Sequence, residues 1–314
     1  MKTYNYIRKA GKIPSRIRNK IRSIIGDIIK EYANFEPLVK FDIVSENLRH
    51  LTLNSKEQGI TNTAYFPNEQ LIVSLTTYGK RLYNVYLAIE SIMQQTRKAN
   101  RIVLWLDEAL KNTQLPQTII LQQKRGLEIR YCKDIKSYKK LIPALQLFPN
   151  DTIVTIDDDA IYHHDLLEEM IKTHLEEPNC IICNRYHKIK LNKDGSLKPY
   201  LEWDIECKEE AKSHLCFSTG VGGVMYPPAS LSNEVFNEKV FTELCPFADD
   251  VWFKAMAILN NVPYKPIPQN IHKTMYIDIP ITEASLLKYN VLGNGNDKAL
   301  SNVFKHYCIS FNVD

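Results

Sequence analysis

Residues 151–159 read DTIVTIDDD, an apolar, β-branched run that passes directly into three adjacent aspartates. Val, Ile and Thr suit a pleated, half-buried strand. Three neighbouring carboxylates repel one another and call for solvent, a cation or hydrogen-bond donors. The stretch therefore predicts a buried strand that delivers Asp157, Asp158 and Asp159 to its carboxyl end. The same pattern recurs upstream. LIVSL from Leu71 runs into the polar turn TTYGKR, and RIVLWL runs into Asp107-Glu108. Between them, VYLAIESIMQQT places Val85, Ala88, Ile89, Ile92 and Met93 on one helical face. LEIRYC and KKLIPALQLF supply a third strand and a short helix before the fourth strand, DTIVTI. This alternation predicts an α/β domain with a mostly parallel sheet flanked by helices. Ligands collect at the carboxyl ends of such strands. The TTYGKR turn, Asp107 and the aspartate triplet all fall there.

The second half is less regular. CIICNRY predicts another strand, KLNKDGSLKPY a turn or hairpin around Asp194-Gly195, and STGVGGVMYPP a glycine-rich bend. PFADDVWFKAMAI opens a helix on an acidic pair, with Val251, Ala255 and Ile258 on one face. Hydrophobic residues make up 44% and charged residues 24% of the 314, an ordinary globular composition. No run approaches the roughly 20 apolar residues that span a bilayer, and the N-terminus lacks the compact apolar core of a secretory signal. Seven scattered cysteines argue for a reducing compartment, and the CIIC pair, Cys180 and Cys183, for buried strand positions. The net charge of +4 is unevenly spread: residues 1–30 carry nine Lys/Arg against Asp27, a net +8, which leaves the remaining chain at −4. Such a chain is unlike a uniformly basic nucleic-acid binder. Within that arm Ile17, Ile21, Ile24, Ile25, Ile28 and Ile29 recur at helical spacing. The helix either lies in an anionic membrane interface or packs on the body with a solvated basic face. The expected organisation is a basic amphipathic arm over 1–40, a connecting segment over 41–69, the α/β domain over 70–280 and a helical extension over 281–314.

Two acidic clusters about 90 residues apart, each beside an apolar element, are the main candidates for chemistry. Adjacent carboxylates suit a hard divalent cation, Mn²⁺ or Mg²⁺, which shares its remaining positions with phosphate and water. The alternative for the triplet is a solvated turn with a helix cap. Asp249 or Asp250 could serve as a general base, given reach to the hydroxyl it deprotonates; N-capping is the alternative there. Gly220, Gly222 and Gly223 allow close approach of backbone to a ligand or a tight bend. They do not form the GxGxxG of a dinucleotide fold. His272 could complete a metal shell or be structural. Lys139 and Lys140 could meet phosphate oxygens as point charges or be ordinary surface lysines.

In sequence order, LIVSLTTYGKR, SIMQQT, RIVLWLDE, TIDDDAIY, STGVGG and ADDVWF resemble a glycosyltransferase of the GT-A fold, close to the family 2 type. The resemblance spans roughly Leu71 to Tyr276. It implies a Rossmann-like sheet, a nucleotide-sugar donor with UDP favoured, a glycan or glycolipid acceptor and a divalent cation. Thr76, Thr77 and Tyr78 would line the nucleotide pocket, with Asp107 near the base. Asp157 would contact the ribose side of the donor and Asp159 would hold the metal; read from the residues rather than the resemblance, Lys140, Asp158, Gly222 and Gly223 are further donor-side candidates and His272 a further metal candidate. Asp250, or Asp249, would be the base of an inverting transfer, as in bacterial lipopolysaccharide or capsule synthesis. The location expected from the cysteines is cytoplasmic, with the arm either on the inner face of the membrane or packed on the body. Two departures are visible: LWLDEAL replaces the family's VVDDGS, and the acidic pair is Asp-Asp where the family begins with Glu.

Other functions fit less well. A sugar-phosphate nucleotidyltransferase wants a glycine- and base-rich loop after the first strand, and TTYGKR is a poor match. An aspartyl phosphatase wants Asp at the end of the first strand, where this chain has Thr76-Thr77. A non-enzymatic membrane adaptor would rest on the basic arm alone.

Overall fold

In the computed structural model, residues 37–268, 276–280, 290 and 293–311 are described. The chain divides into two compact units, Met1–Asn47 and Leu48–Asp314. Of the first, residues 37–47 are described and are helical. The basic arm and its membrane reading lie outside the described residues. No described helix is long and apolar enough to cross a membrane.

The second unit begins with helical residues 48–54 (α1) and continues as β1 (Leu71–Thr76), α2 (Val85–Met93), β2 (Arg101–Asp107), α3 (Gln117–Gln123), β3 (Leu127–Cys132), α4 (Ile142–Leu147), β4 (Thr152–Thr155), β5 (Ala160–Tyr162) and α5 (Leu166–Glu176). It then forms β6 (Ile181–Cys183), β7 (Tyr186–Lys188), β8 (Cys216–Ser218), β9 (Val224–Tyr226), α6 (Glu238–Leu244), α7 (Asp249–Leu259), β10 (Tyr264–Pro266), β11 (Tyr276–Asp278) and α8 (Gly295–His306).

Among the described residues the central sheet has seven strands in the order β10-β6-β9-β4-β1-β2-β3. It is α/β and mostly parallel. β1 pairs in parallel with β2 and β4, β2 with β3, and β10 with β6. The exception is β9, antiparallel to both β4 and β6. The glycine-rich stretch that reads as a bend thus includes a sheet strand. The triplet is also followed by β5, paired with β11, before α5 begins. Three-residue strands are too short to display a period of two, so neither is visible locally.

Alternation along each strand sorts the core onto the two faces. Leu71, Val73, Leu75, Ile102, Leu104, Leu106, Val154, Ile182 and Met225 pack with α2 and α5 on one side. Ile72, Val103, Trp105, Ile153, Ile181, Cys183, Val224 and Tyr226 pack with α4, α7 and α8 on the other. The seven cysteines are free, and Cys180 and Cys183 are buried.

One charge is buried within the helical layer. Glu90 on α2 is fully enclosed and accepts from Arg125 Nη1 at 2.8 and 2.9 Å, Thr52 Oγ1 at 3.0 Å, Gln122 Nε2 at 3.1 Å and Gln94 Nε2 at 2.7 Å. The carboxylate ties α1, α2, α3 and the turn before β3 together. Removing one partner of such a pair strands the other charge in the interior. Glu90→Ala is therefore expected to lower stability by about 3–5 kcal/mol in chemical denaturation. A loss below about 1 kcal/mol would show that Arg125 escapes to solvent instead.

Candidate active site

Strand direction assembles the site. β4 ends at Thr155, so the triplet lies at its carboxyl end. Because β9 is antiparallel, with Thr155 opposite Val224, the segment entering β9 lies beside that same end. That segment is residues 220–223. Gly223 has φ +88°, a conformation that L side chains rarely adopt, which turns the chain into the strand.

Lys140 joins the two acidic clusters. Its Nζ lies 2.8 Å from Asp157 Oδ1 and 3.0 Å from Asp249 Oδ2. The backbone beneath it is fixed by the sheet: buried Ser74 on β1 donates to the Lys140 carbonyl at 2.5 Å and accepts from Trp105 Nε1 at 2.9 Å. Burial disfavours the charged ammonium, but Asp157, Asp249 and Asp250 together outweigh it and hold the pKa well above the usual lysine range. Nearby Lys139 is also buried and is taken up by Asp134 at 2.8 Å. Neither residue is a surface lysine.

Asp250 sits in the first turn of α7 and accepts from the Gly220 N–H at 3.1 Å. A Cβ on Gly220 would lie 2.6 Å from Lys140 Nζ, 3.0 Å from Asp250 Oδ1 and 3.6 Å from Asp157 Oδ2. The missing side chain therefore leaves the space in which these three groups meet. Tyr138, two residues before Lys140, donates its hydroxyl to the Cys245 carbonyl at 2.6 Å and stacks on Phe241 at 4.1 Å. This couples the lysine turn to the segment that leads into α7.

The three aspartates have different surroundings. Asp157 contacts Lys140, and its N–H donates to the Tyr162 hydroxyl at 2.9 Å, which in turn donates to the Val221 carbonyl at 3.0 Å. Asp158 is buried and accepts from Thr77 Oγ1 at 2.6 Å and Arg81 Nη1 at 2.8 Å. Asp159 has a longer contact, 3.2 Å, with the same Arg81 nitrogen. Burial raises the Asp158 pKa against the pull of Arg81 and Thr77. Burial, then the charges of Asp157 and Asp158, push the Asp159 carboxyl up to about 7 despite Arg81 and Lys140. Burial and the charges of Asp249 and Asp157 push Asp250 up to about 7, opposed by Lys140 and the Gly220 N–H.

The other sequence candidates fall around this centre. Thr76 donates its hydroxyl to the Trp105 carbonyl at 2.9 Å. Tyr78 is exposed, with the Arg81 guanidinium 5.0 Å from its ring centroid. Asp107 accepts from the Ala109 N–H at 2.7 Å and caps the turn after β2. The Gly222 carbonyl accepts from Asn184 Nδ2 at 3.0 Å, and a Cβ there would lie 2.8 Å from the Arg185 backbone nitrogen. His272 lies outside the described residues. Three site residues were not singled out from sequence. Arg81 stands within TTYGKR without any local signal of its partner, Ser74 reads as an ordinary strand residue, and Tyr162 lies in the short strand β5, which the sequence does not display.

No family model matches the chain, and neither does any curated protein. The chemistry has to be read from the residues themselves. Five carboxylates, Asp157, Asp158, Asp159, Asp249 and Asp250, face two cations, Lys140 and Arg81. The donors are hard oxygens, and burial together with the neighbouring carboxylates pushes two of the carboxyls, Asp159 and Asp250, up to about 7. That set fits Mn²⁺ or Mg²⁺, which commonly take one or two protein carboxylates together with substrate phosphates. The three aspartates do not themselves converge on one point, because Lys140 draws Asp157 to one side and Arg81 with Thr77 draws Asp158 to the other. Among the described residues, the three-ligand group with donor atoms within 4.8 Å of one another is His163, His164 and Asp165. His163 is half-buried and His164 exposed. Their loop is fastened to the end of α2 by Gln95 Nε2 on the His163 carbonyl at 2.7 Å and the Thr96 N–H on the His164 carbonyl at 2.8 Å. A cavity of about 940 Å³ lies between the 194–199 turn and α8, and none of the acidic site residues lines it.

The Asp250 carboxyl titrates higher in the folded chain than in the unfolded one, so its contribution to stability is present at low pH and lost as pH rises towards about 7. The metal-free protein is expected to lose stability between pH 5 and 7, and Asp250→Asn to flatten that slope in urea titrations. An unchanged slope in the variant would mean that Asp250 ionises without penalty.

Proposed function

We propose that the chain is a metal-dependent glycosyltransferase. It would move a sugar from a nucleoside-diphosphate donor, with UDP the favoured nucleotide, to a hydroxyl of a glycan or glycolipid acceptor. The observation that carries this reading is the meeting of two acidic clusters, distant in sequence, at Lys140 and Gly220. One cluster suits a leaving diphosphate and the other an incoming hydroxyl, a division of labour that a phosphatase or a membrane adaptor does not need.

Asp159 would hold the divalent cation, with Asp157 beside it on the donor side. When bound, that ion supplies positive charge to the departing diphosphate. Asp250 is the better base of the acidic pair. Its carboxyl is poised near neutral pH, where proton abstraction is most efficient, whereas Asp249 is occupied by Lys140. The Gly220 N–H holds Asp250 Oδ2, leaving Oδ1 on the open side of Gly220 to take the acceptor proton. As that proton moves to Oδ1, the acceptor oxygen bonds to the anomeric carbon. The carbon–oxygen bond to the diphosphate breaks on the opposite face, and the configuration inverts. Lys140 keeps Asp157 and Asp249 in register while the charges move. A role in bacterial surface polysaccharide synthesis, with residues 1–30 on the inner face of the membrane, completes the proposal.

A thermal-shift panel of nucleotide sugars with and without Mn²⁺ tests the donor: metal-dependent stabilisation by a UDP-sugar is expected. Asp159→Ala should stay folded and lose transfer, and full activity in that variant would overturn the assignment. Gly220→Ala should still fold, at a cost of about 1–3 kcal/mol, because the new methyl meets the buried Lys140 ammonium, which cannot yield without loosening its hold on Asp157 or Asp249. It should nonetheless slow transfer by roughly tenfold or more, since a misplaced charge near the reacting atoms is costly.

A further inference from the structure

We infer that Arg81 is a built-in counter-ion that holds the Asp159 carboxylate until a divalent cation displaces it, and that Arg81 thereby sets the affinity of the site for metal. The inference rests on the metal reading of Asp159 but concerns a residue to which that reading gives no part.

Arginine satisfies carboxylates best through two parallel N–H bonds from its planar fork. Here a single nitrogen, Nη1, serves two carboxylates, Asp158 Oδ1 at 2.8 Å and Asp159 Oδ2 at 3.2 Å. The Nε of the same guanidinium is buried without a hydrogen-bond partner. The two contacts are also unequal. Asp158 is 6% exposed and has a second donor in Thr77 Oγ1 at 2.6 Å, so its position does not depend on Arg81 alone. Asp159 is 26% exposed, has the longer contact and faces solvent. The bond to Asp158 is an anchor and the contact to Asp159 is exchangeable.

The surroundings allow that exchange. Arg81 stands in the short turn after β1, with the exposed Tyr78 ring 5.0 Å from its guanidinium. The aromatic face can support the cation as it tilts away from Asp159 while keeping Asp158. A divalent ion at Asp159 would lie within a few ångströms of the guanidinium. Two cations at that separation repel strongly at the intermediate dielectric of a protein cleft. Metal binding therefore has to move Arg81 off Asp159, and the cost of doing so weakens the site for metal. Lys140 cannot play this part, because it is buried against Asp157 and Asp249 and fixed from below by Ser74.

The test is Mn²⁺ binding to the full chain without nucleotide, followed by the loss of the free-ion electron paramagnetic resonance signal. Arg81→Gln is expected to bind Mn²⁺ roughly tenfold or more tightly than wild type, by removal of a unit charge beside the ion. Arg81→Lys, which keeps the charge, should stay within about threefold of wild type on the same argument. A residue that only buttressed the turn would weaken the site when replaced. Equal or weaker binding by Arg81→Gln, with wild type binding, overturns the inference and leaves the proposed transferase standing. If neither protein binds Mn²⁺, the inference and the metal-dependent reading fall together. The wild type gives a readout that does not depend on how the variants fold: Mg²⁺ should shift the nitrogen resonance of the Arg81 guanidinium, and a resonance unmoved at saturating Mg²⁺ overturns the exchange.

Discussion

The buried ammonium of Lys140 is the constraint on which the site depends. A lysine this deep stays charged where carboxylates repay its desolvation, and Asp157 and Asp249 do so from two elements that share no local sequence. The sheet supports it from below through Ser74 and Trp105. Tyr138 ties the lysine turn to the approach of α7, and Gly220 leaves the volume into which the charges converge. Each of these residues has an ordinary role in isolation. Together they fix the distance between the two acidic clusters.

Burial and unequal pairing differentiate the carboxylates around that lysine. Asp157, Asp158 and Asp249 each have a close cationic partner. Burial raises the Asp158, Asp159 and Asp250 carboxyls, the last two to about 7, with neighbouring carboxylates adding to it and the nearby cations opposing it. Asp159 and Asp250 are therefore the groups most responsive to a cation or a proton acceptor's demands, which is the property a metal ligand and a general base require. Two fixed cations also differ in kind: Lys140 is enclosed and structural, whereas Arg81 is shared unequally between a satisfied carboxylate and an unsatisfied one.

The α/β architecture was legible because long strands and helices announce themselves through period and through where charge begins. LIVSL, RIVLWL and DTIVTI each end in a polar turn, and each became a parallel strand of the central sheet. The short strands β5 and β9 were not legible, since three residues carry no period and their stability comes from partners far along the chain. The lysine pair was ambiguous for a related reason. Nothing in SYKKLIPAL distinguishes a lysine that points to solvent from one drawn under the sheet edge by Asp157 and Asp249.

The sequence by itself determined which residue types would stand at the carboxyl ends of the strands, because hydrophobic run and acidic terminus are adjacent in the chain. It also placed both acidic clusters beside apolar elements. Only the tertiary structure decided that the two clusters share one cation, that Asp158 belongs to Thr77 and Arg81, and that Gly220 is small because Lys140 and Asp250 need its space. Those outcomes follow from the antiparallel entry of β9 and the docking of α7 against the sheet. Such contacts are set by the packing of the whole core and leave no periodic trace in the segments they join.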